Sequence, residues 1–219
     1  METAPAQPVQ IAIVPVTPFA QNCSILWCTK TMKGAVIDPG GDVDRIQAAV
    51  AETGVTIEKI LLTHGHVDHA AGAAALAEQL KVPVEGPHAA DQFLLDEIPA
   101  SATKFGFEGG GRAVTPDRYL SEGDALSVGA LDIDILHVPG HTPGHLVFVL
   151  KDANIAIVGD TLFRGSVGRT DFPYGDHEQL IAGIVEKMLP LGDGVVCLPG
   201  HGPLTSIGDE RARNPFLPR

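Results

Sequence analysis

Between residues 64 and 69 the sequence runs His64-Gly65-His66-Val67-Asp68-His69, which places four potential metal ligands within six residues. Alternate residues of an extended segment project the same way, so His64 and His66 can face one ion together. A tight turn behind them lets Asp68 and His69 face a neighbouring point. The small residues around the set, Gly65, Ala70, Ala71 and Gly72, allow the loop to fold closely about a cation. A solvated His-rich turn is the plain alternative for this segment taken alone. His141, Asp160 and His201 shift the balance, because each lies just after a predicted strand. Seven such side chains suit two ions: His64, His66 and His141 at one site, Asp68, His69 and His201 at the other, and Asp160 bridging them. Imidazole and carboxylate donors without thiolate suit zinc, and iron and manganese are compatible. The set looks open to water, whereas a metal acting as a structural staple wants a closed shell.

Strands must deliver these residues. Strand patterns run from Val9 to Val16, Ser24 to Trp27, Ala35 to Ile37 and Ile57 to Leu62, the last leading straight into the histidine loop. A helix fits Asp42 to Thr53, with Val43, Ile46 and Val50 on one face and Gly54 just past its end. Ala73, Leu76, Ala77 and Leu80 form the stripe of another helix. Ile98 to Asp117 is Gly-rich and weakly patterned, which predicts a long surface loop, with Gly109 to Gly111 a candidate for shaping a substrate pocket. Leu131 to Ile135 alternates apolar residues with carboxylates, and further strands fit Leu146 to Leu150, Asn154 to Val158 and Val195 to Leu198. Leu180, Ile181, Ile184, Val185 and Met188 mark the last strong helix. This order predicts an α/β fold over residues 1–219, one domain with two packed mixed sheets covered by helices. Four strands end in loops carrying His or Asp, so one rim can collect them.

Bulk properties exclude several classes. A net charge of −12 without a basic run repels phosphate backbones, which argues against nucleic acid. No apolar run approaches the length of a spanning helix, and METAPAQPVQ has no secretory pattern. Three cysteines argue for a reducing, cytoplasmic setting rather than a disulfide framework. Cys23 and Cys197 lie in apolar strands as core thiols, and Cys28 has no base nearby in sequence, so a cysteine nucleophile is not expected. Oligomeric state is not legible.

The segment Thr63 to His69 resembles the signature of the metallo-β-lactamase superfamily. Asp38 in Asp38-Pro39-Gly40-Gly41, the segment Pro139-Gly140-His141-Thr142-Pro143-Gly144-His145, Gly159-Asp160 and Gly200-His201-Gly202 match its remaining motifs in order. The likeness runs from Val9 to Phe216 and implies an αββα sandwich with a dinuclear site at one sheet edge. Within the superfamily the chain is most similar to small glyoxalase II-like, or hydroxyacylglutathione hydrolase-like, proteins. Gln21-Asn22-Cys23, Gly159 to Phe163, Gly168-Arg169-Thr170-Asp171-Phe172-Pro173, Gly175-Asp176-His177 and Asn214 to Leu217 carry that resemblance.

The resemblance implies hydrolysis of a glutathione thioester such as S-D-lactoylglutathione, with Asp68 and Asp160 as catalytic carboxylates. Two metals can lower the pKa of a shared water to about 7. A thiolate leaves without a strong acid, since its thiol pKa is about 8.5. Arg169 stands where larger glyoxalase II enzymes carry a basic residue facing glutathione; pairing with Asp171 is its structural alternative. Those larger enzymes add a helical glutathione-binding domain, which is not expected here because the chain ends shortly after His201. Persulfide dioxygenases share the fold and the Gly168-to-Phe172 stretch, and would bind one iron through His64, His141 and Asp160. Gly65, a position usually Cys in those enzymes, and Thr142 to His145 favour the hydrolase. Asp38 is expected to orient the ligand loops and His145 to make a structural hydrogen bond. His88, His137 and His177 stay outside the ligand set.

Overall fold

The computed structural model describes residues 8–107 and 111–218. The first half of the chain builds strands β1 (Val9–Val16), β2 (Gln21–Cys28) and β3 (Lys33–Ile37), then helix α1 (Val43–Thr53) and β4 (Thr56–Leu61). Helices α2 (Val67–Ala70) and α3 (Ala73–Leu80) follow, then β5 (Val84–Glu85), α4 (Gln92–Asp96) and α5 (Ile98–Phe105). The second half contains β6 (Leu126–Val128), β7 (Leu131–His137), β8 (Leu146–Leu150), β9 (Ile155–Gly159), and the small hairpin β10 (Leu162–Phe163) with β11 (Ser166–Val167). It ends with α6 (His177–Gly183), β12 (Val196–Pro199), β13 (Thr205–Ser206) and α7 (Ile207–Arg213).

One sheet has the order β1-β2-β3-β4-β5 and the other β13-β12-β9-β8-β7-β6. Alternation along each strand makes the layers. Leu26, Cys28, Ala35, Ile37 and Leu61 of the first sheet meet Ile133, Ile135, Phe148, Ile157 and Leu198 of the second in one apolar cluster. The intervening residues Ile25, Trp27, Val36 and Ile60 point the other way, onto Ile46 and Val50 of α1 and Leu76 of α3. Across the molecule Val147, Val149, Ala156 and Val158 pack on Leu180 of α6, on Ile184 and Met188 of the π-helical turn that continues it, and on Ile207 of α7. The sequence of layers is therefore helix, sheet, sheet, helix. β8 is apolar at every position because both its faces are covered.

The expected surface loop from Ile98 to Asp117 is corrected at its start, where α5 forms. Ile98 and Ala102 bury one face, Pro99 occupies the first turn, and Gly106 closes the helix at φ +68°. A helix of eight residues offers too few turns for periodicity to stand out. Gly109 and Gly110 lie outside the described residues, while Gly111 packs beside Ile98 and Ala102. Helix α7 was also not foreshadowed by any strong stripe. Among the described residues no helix is long and apolar enough to cross a membrane.

The strand directions matter most for function. β3 and β4 run parallel, β9 and β12 run parallel, and β7 is two antiparallel steps from β9. All five therefore bring their C-terminal ends to one rim, followed by Asp38, His64, His141, Asp160 and His201. The rim rests on the inter-sheet core, where Phe148 is fully buried. Phe148→Ala is expected to cost about 3–5 kcal/mol in urea unfolding; a loss below about 1 kcal/mol would show that the two sheets do not depend on this contact.

Candidate metal centre

His64 leaves β4 in extended backbone, and His66 stands just before α2 at φ −66°, ψ 149°. One helical turn then presents Asp68 and His69. The seven residues singled out from the sequence converge. His64 Nε2 is 3.1 Å from His66 Nδ1, and His141 Nε2 is 3.0 Å from the same atom. His201 Nε2 is 3.1 Å from Asp68 Oδ2, and His69 Nε2 is 3.4 Å from Asp160 Oδ1. Asp160 Oδ2 lies 3.6 Å from both His141 Nε2 and His201 Nε2, between the two groups. His64, His66 and His141 form one cluster of possible donors, and Asp68, His69 and His201 form another.

Each of the five rings gives one nitrogen to a fixed partner and turns the other inward. His69 Nδ1 donates to Asp38 Oδ2 at 2.9 Å, His141 Nδ1 to the Arg169 carbonyl at 2.8 Å, and His201 Nδ1 to the Phe19 carbonyl at 3.3 Å. His64 Nδ1 lies 3.0 Å from the Thr63 hydroxyl, whose own proton goes to Asp38 Oδ2 at 2.6 Å. His66 is reversed: its Nε2 meets the Tyr174 hydroxyl at 2.9 Å, so Nδ1 faces the centre. These partners fix the outer nitrogens, and at His64 and His141 the inward nitrogen keeps its lone pair. His64 Nε2, His66 Nδ1 and His141 Nε2 thus meet at one point, a spacing that a cation between them suits. Two imidazole nitrogens on one tetrahedral zinc sit about 3.3 Å apart, close to this spacing. His69 Nε2 and Asp160 Oδ1 are buried and have no hydrogen-bond partner. An ion between them would satisfy both. The residues fit a pair of divalent cations.

The charges divide the same way. Burial, aided by the neighbouring imidazoles, holds His64 well below the usual histidine range and His66 down at about 3. Burial also lowers His141, against the pull of Asp160. At His69 burial pulls down, but Asp160 and Asp68 outweigh it and raise the ring well above its ordinary value. His201 is raised as well, its bond to Asp68 overcoming burial. Asp160 is pushed up by its surroundings, yet the positive ring of His69 wins and keeps it ionised. One half therefore offers three neutral imidazoles, and the other draws positive charge through its carboxylates.

Supporting groups hold the loops. Asp38 accepts from the Thr63 N–H at 2.7 Å as well as from His69, which gives it the orienting place expected of it. His145 Nε2 accepts the Asp160 N–H at 3.0 Å and its ring stacks on His64, the structural bond expected of it. Asn22 Nδ2 donates to the carbonyls of Pro199 and Gly202, pinning the loop of His201 to the start of β2. Gly200 is required by close approach, since a Cβ there would stand 2.3 Å from Asp160 Oδ1. His88 and His137 stack on each other away from the cluster, and Cys23, Cys28 and Cys197 are buried free thiols. Burial raises Cys23 well above its ordinary value and Cys197 up to about 12, which suits core thiols; a hydrogen bond from Thr31 brings Cys28 down to about 7.

The cluster floors a cavity of about 640 Å³. Arg169 lines it, but its guanidinium is held by Asp171 through two bonds of 2.7 Å and lies over the Phe172 ring. Sequence reasoning missed Lys104, which α5 brings to the cavity lining beside Phe105. It makes no ion pair among the described residues. Tyr174 was also missed; it stacks on Phe172 and reaches His66.

Asp38→Ala would leave the Thr63 N–H buried without an acceptor and release the His69 ring. Metal-free protein is expected to lose about 3 kcal/mol in urea unfolding. Metal affinity at that half is expected to drop about 10–100-fold in chelator competition. Unchanged affinity would remove Asp38 from the support of the centre.

The family model for the metallo-beta-lactamase superfamily matches residues 16–201. The hydroxyacylglutathione hydrolase GloC of Haemophilus influenzae is 43% identical over 210 residues, covering 95% of this chain and 98% of that protein. Among solved structures, the BLEG-1 B3 metallo-beta-lactamase superposes with a TM-score of 0.87 at 32% identity, over 95% of this chain and 99% of that one. The di-iron-bound form of TTHA1623 gives a TM-score of 0.84 at 35% identity, over 94% and 100%. With the layered sheets and the dimetal rim already described, these matches make the chain a member of the metallo-β-lactamase superfamily.

Proposed function

We propose that the protein is a cytoplasmic hydrolase of glutathione-type thioesters such as S-D-lactoylglutathione. The observation that carries this reading is the inward set of five imidazole nitrogens and two carboxylates, of which His66, His141, His201, Asp68 and Asp160 line a cavity that Lys104 and Arg169 also line. Its likeness to the hydroxyacylglutathione hydrolase supports the substrate class. His64, His66 and His141 would hold one divalent ion and Asp68, His69 and His201 the other, with Asp160 shared; zinc suits these donors. When bound, such ions supply a hydroxide at neutral pH and polarise a carbonyl oxygen.

The chain's own residues do the rest. Asp68, with its Oδ2 3.1 Å from His201 Nε2, can accept a hydrogen bond from an attacking water. Asp160, 3.6 Å from both His141 Nε2 and His201 Nε2, holds the two halves in register. Phe172 and Tyr174 wall off solvent beside His66, and the Tyr174 hydroxyl keeps that ring turned. The departing thiolate needs no proton from the protein. Lys104 receives the carboxylate of the glutathione portion more readily than Arg169, which must first release Asp171.

The test is turnover of S-D-lactoylglutathione by protein of measured metal content, with glutathione persulfide under oxygen and a chromogenic β-lactam in parallel. Thioester loss with two ions per chain is expected. Oxygen uptake with bound iron and no thioester loss would replace the hydrolase by an iron-dependent persulfide dioxygenase. Lys104→Ala is expected to raise KM about fivefold with kcat kept, and Arg169→Ala about twofold. Equal KM values for all three proteins would take both cations out of substrate binding.

A further inference from the structure

Asp91 is fully buried, has no cationic partner among the described residues, and takes no part in the chemistry set out above. It ends the short 3-10 turn Ala89–Asp91 that leads into α4. Burying a carboxylate without a counter-charge is costly unless donors replace water. Three do. The Gly65 N–H donates to Oδ2 at 2.9 Å, the Thr142 hydroxyl donates to Oδ2 at 2.7 Å, and the Gly144 N–H donates to Oδ1 at 2.5 Å. Burial still pushes the carboxyl up to about 6.

The donors identify what the carboxylate is for. Gly65 lies between His64 and His66, Thr142 follows His141, and Gly144 precedes His145, the ring that holds the Asp160 N–H. These are the two loops that carry the three-imidazole cluster, and they leave different sheets. The turn is wedged between them: a Cβ at Gly144 would stand 2.7 Å from Asp91 Cγ, and one at Gly65 3.0 Å from the Asp91 carbonyl oxygen. Asp38 makes a comparable pair of contacts where the halves meet, accepting from Thr63, which holds His64, and from His69.

We infer that Asp91 is a positioning residue that clamps the His64–His66 loop to the His141 loop, setting the spacing of the two loops on which the three-imidazole site depends. The inference rests on the dimetal reading of the rim. It also explains why a carboxylate stands here rather than an amide. All three partners are donors, and asparagine would set its own N–H against one of them.

The test separates the halves. His201→Ala disables the Asp68 side and leaves the three-imidazole site to be read alone, and His141→Ala does the reverse. Asp91→Asn is added to each, metal-free protein is prepared by chelation, and zinc affinity is measured by competition with a chromophoric chelator. In the His201→Ala background the affinity is expected to fall about 10–100-fold. In the His141→Ala background it is expected to change less than about twofold. Equal falls in both backgrounds would make Asp91 a general structural residue, and no fall in the first would remove its role altogether. Should Asp91→Asn fail to fold, Thr142→Val deletes one donor alone. It is expected to weaken zinc in the His201→Ala background severalfold, with Thr142→Ser restoring it; no weakening by Thr142→Val overturns the clamp. Wild-type protein taking up a single zinc ion would overturn the dimetal reading instead, a result distinct from either failure of Asp91.

Discussion

Everything at the rim depends on five imidazole rings being prevented from turning. A histidine with both nitrogens free can flip or rotate. Here each ring is anchored at its outer nitrogen, by a carboxylate, a backbone carbonyl or a hydroxyl. The inner nitrogens are thereby fixed at distances that suit a shared cation. Anchoring also chooses the donor atom. His66 faces the centre through Nδ1 because the Tyr174 hydroxyl holds its Nε2, whereas the other four rings present Nε2.

That arrangement is unfavourable before metal arrives, and the fold supplies what offsets it. Two sheets closed on an apolar seam and covered on both outer faces give a rigid platform. Strands that end together expose backbone groups where the ladder stops, and the ligand loops begin there. Asp38 and Asp91 then use those loops' N–H groups, which satisfies backbone donors and fixes side chains in the same contacts. The cost of burying two carboxylates is met locally by hydrogen bonds rather than by ion pairs with Lys or Arg. A cationic side chain there would compete for the position the metals are to take.

What the sequence discloses follows from how local each feature is. The cluster from His64 to His69 is legible because its spacing is set by one extended segment and one helical turn. The strand-end positions of His141, Asp160 and His201 are legible because alternation and apolar runs mark the strands before them. Asp38 stands out by its Asp-Pro-Gly-Gly turn. Asp91 does not, because its three donors come from loops about 26 and 50 residues away in the chain and nothing beside it marks a site. Helix α5 is hidden by its shortness and by Pro99, and with it the position of Lys104. For Arg169 both substrate contact and pairing with Asp171 are legible in the sequence, and the structure has the Asp171 pair, a choice of rotamer the sequence does not specify.

Charge at the cavity answers an apparent conflict. A molecule with net charge −12 should repel an anionic thioester at long range. At physiological salt that repulsion is screened beyond about 8 Å, so the walls of the cavity decide binding. Those walls carry Lys104 beside Phe105 and Arg169 over Phe172. Arg169 is already neutralised by Asp171, whereas Lys104 is not paired among the described residues. The attraction felt by an arriving carboxylate is therefore asymmetric.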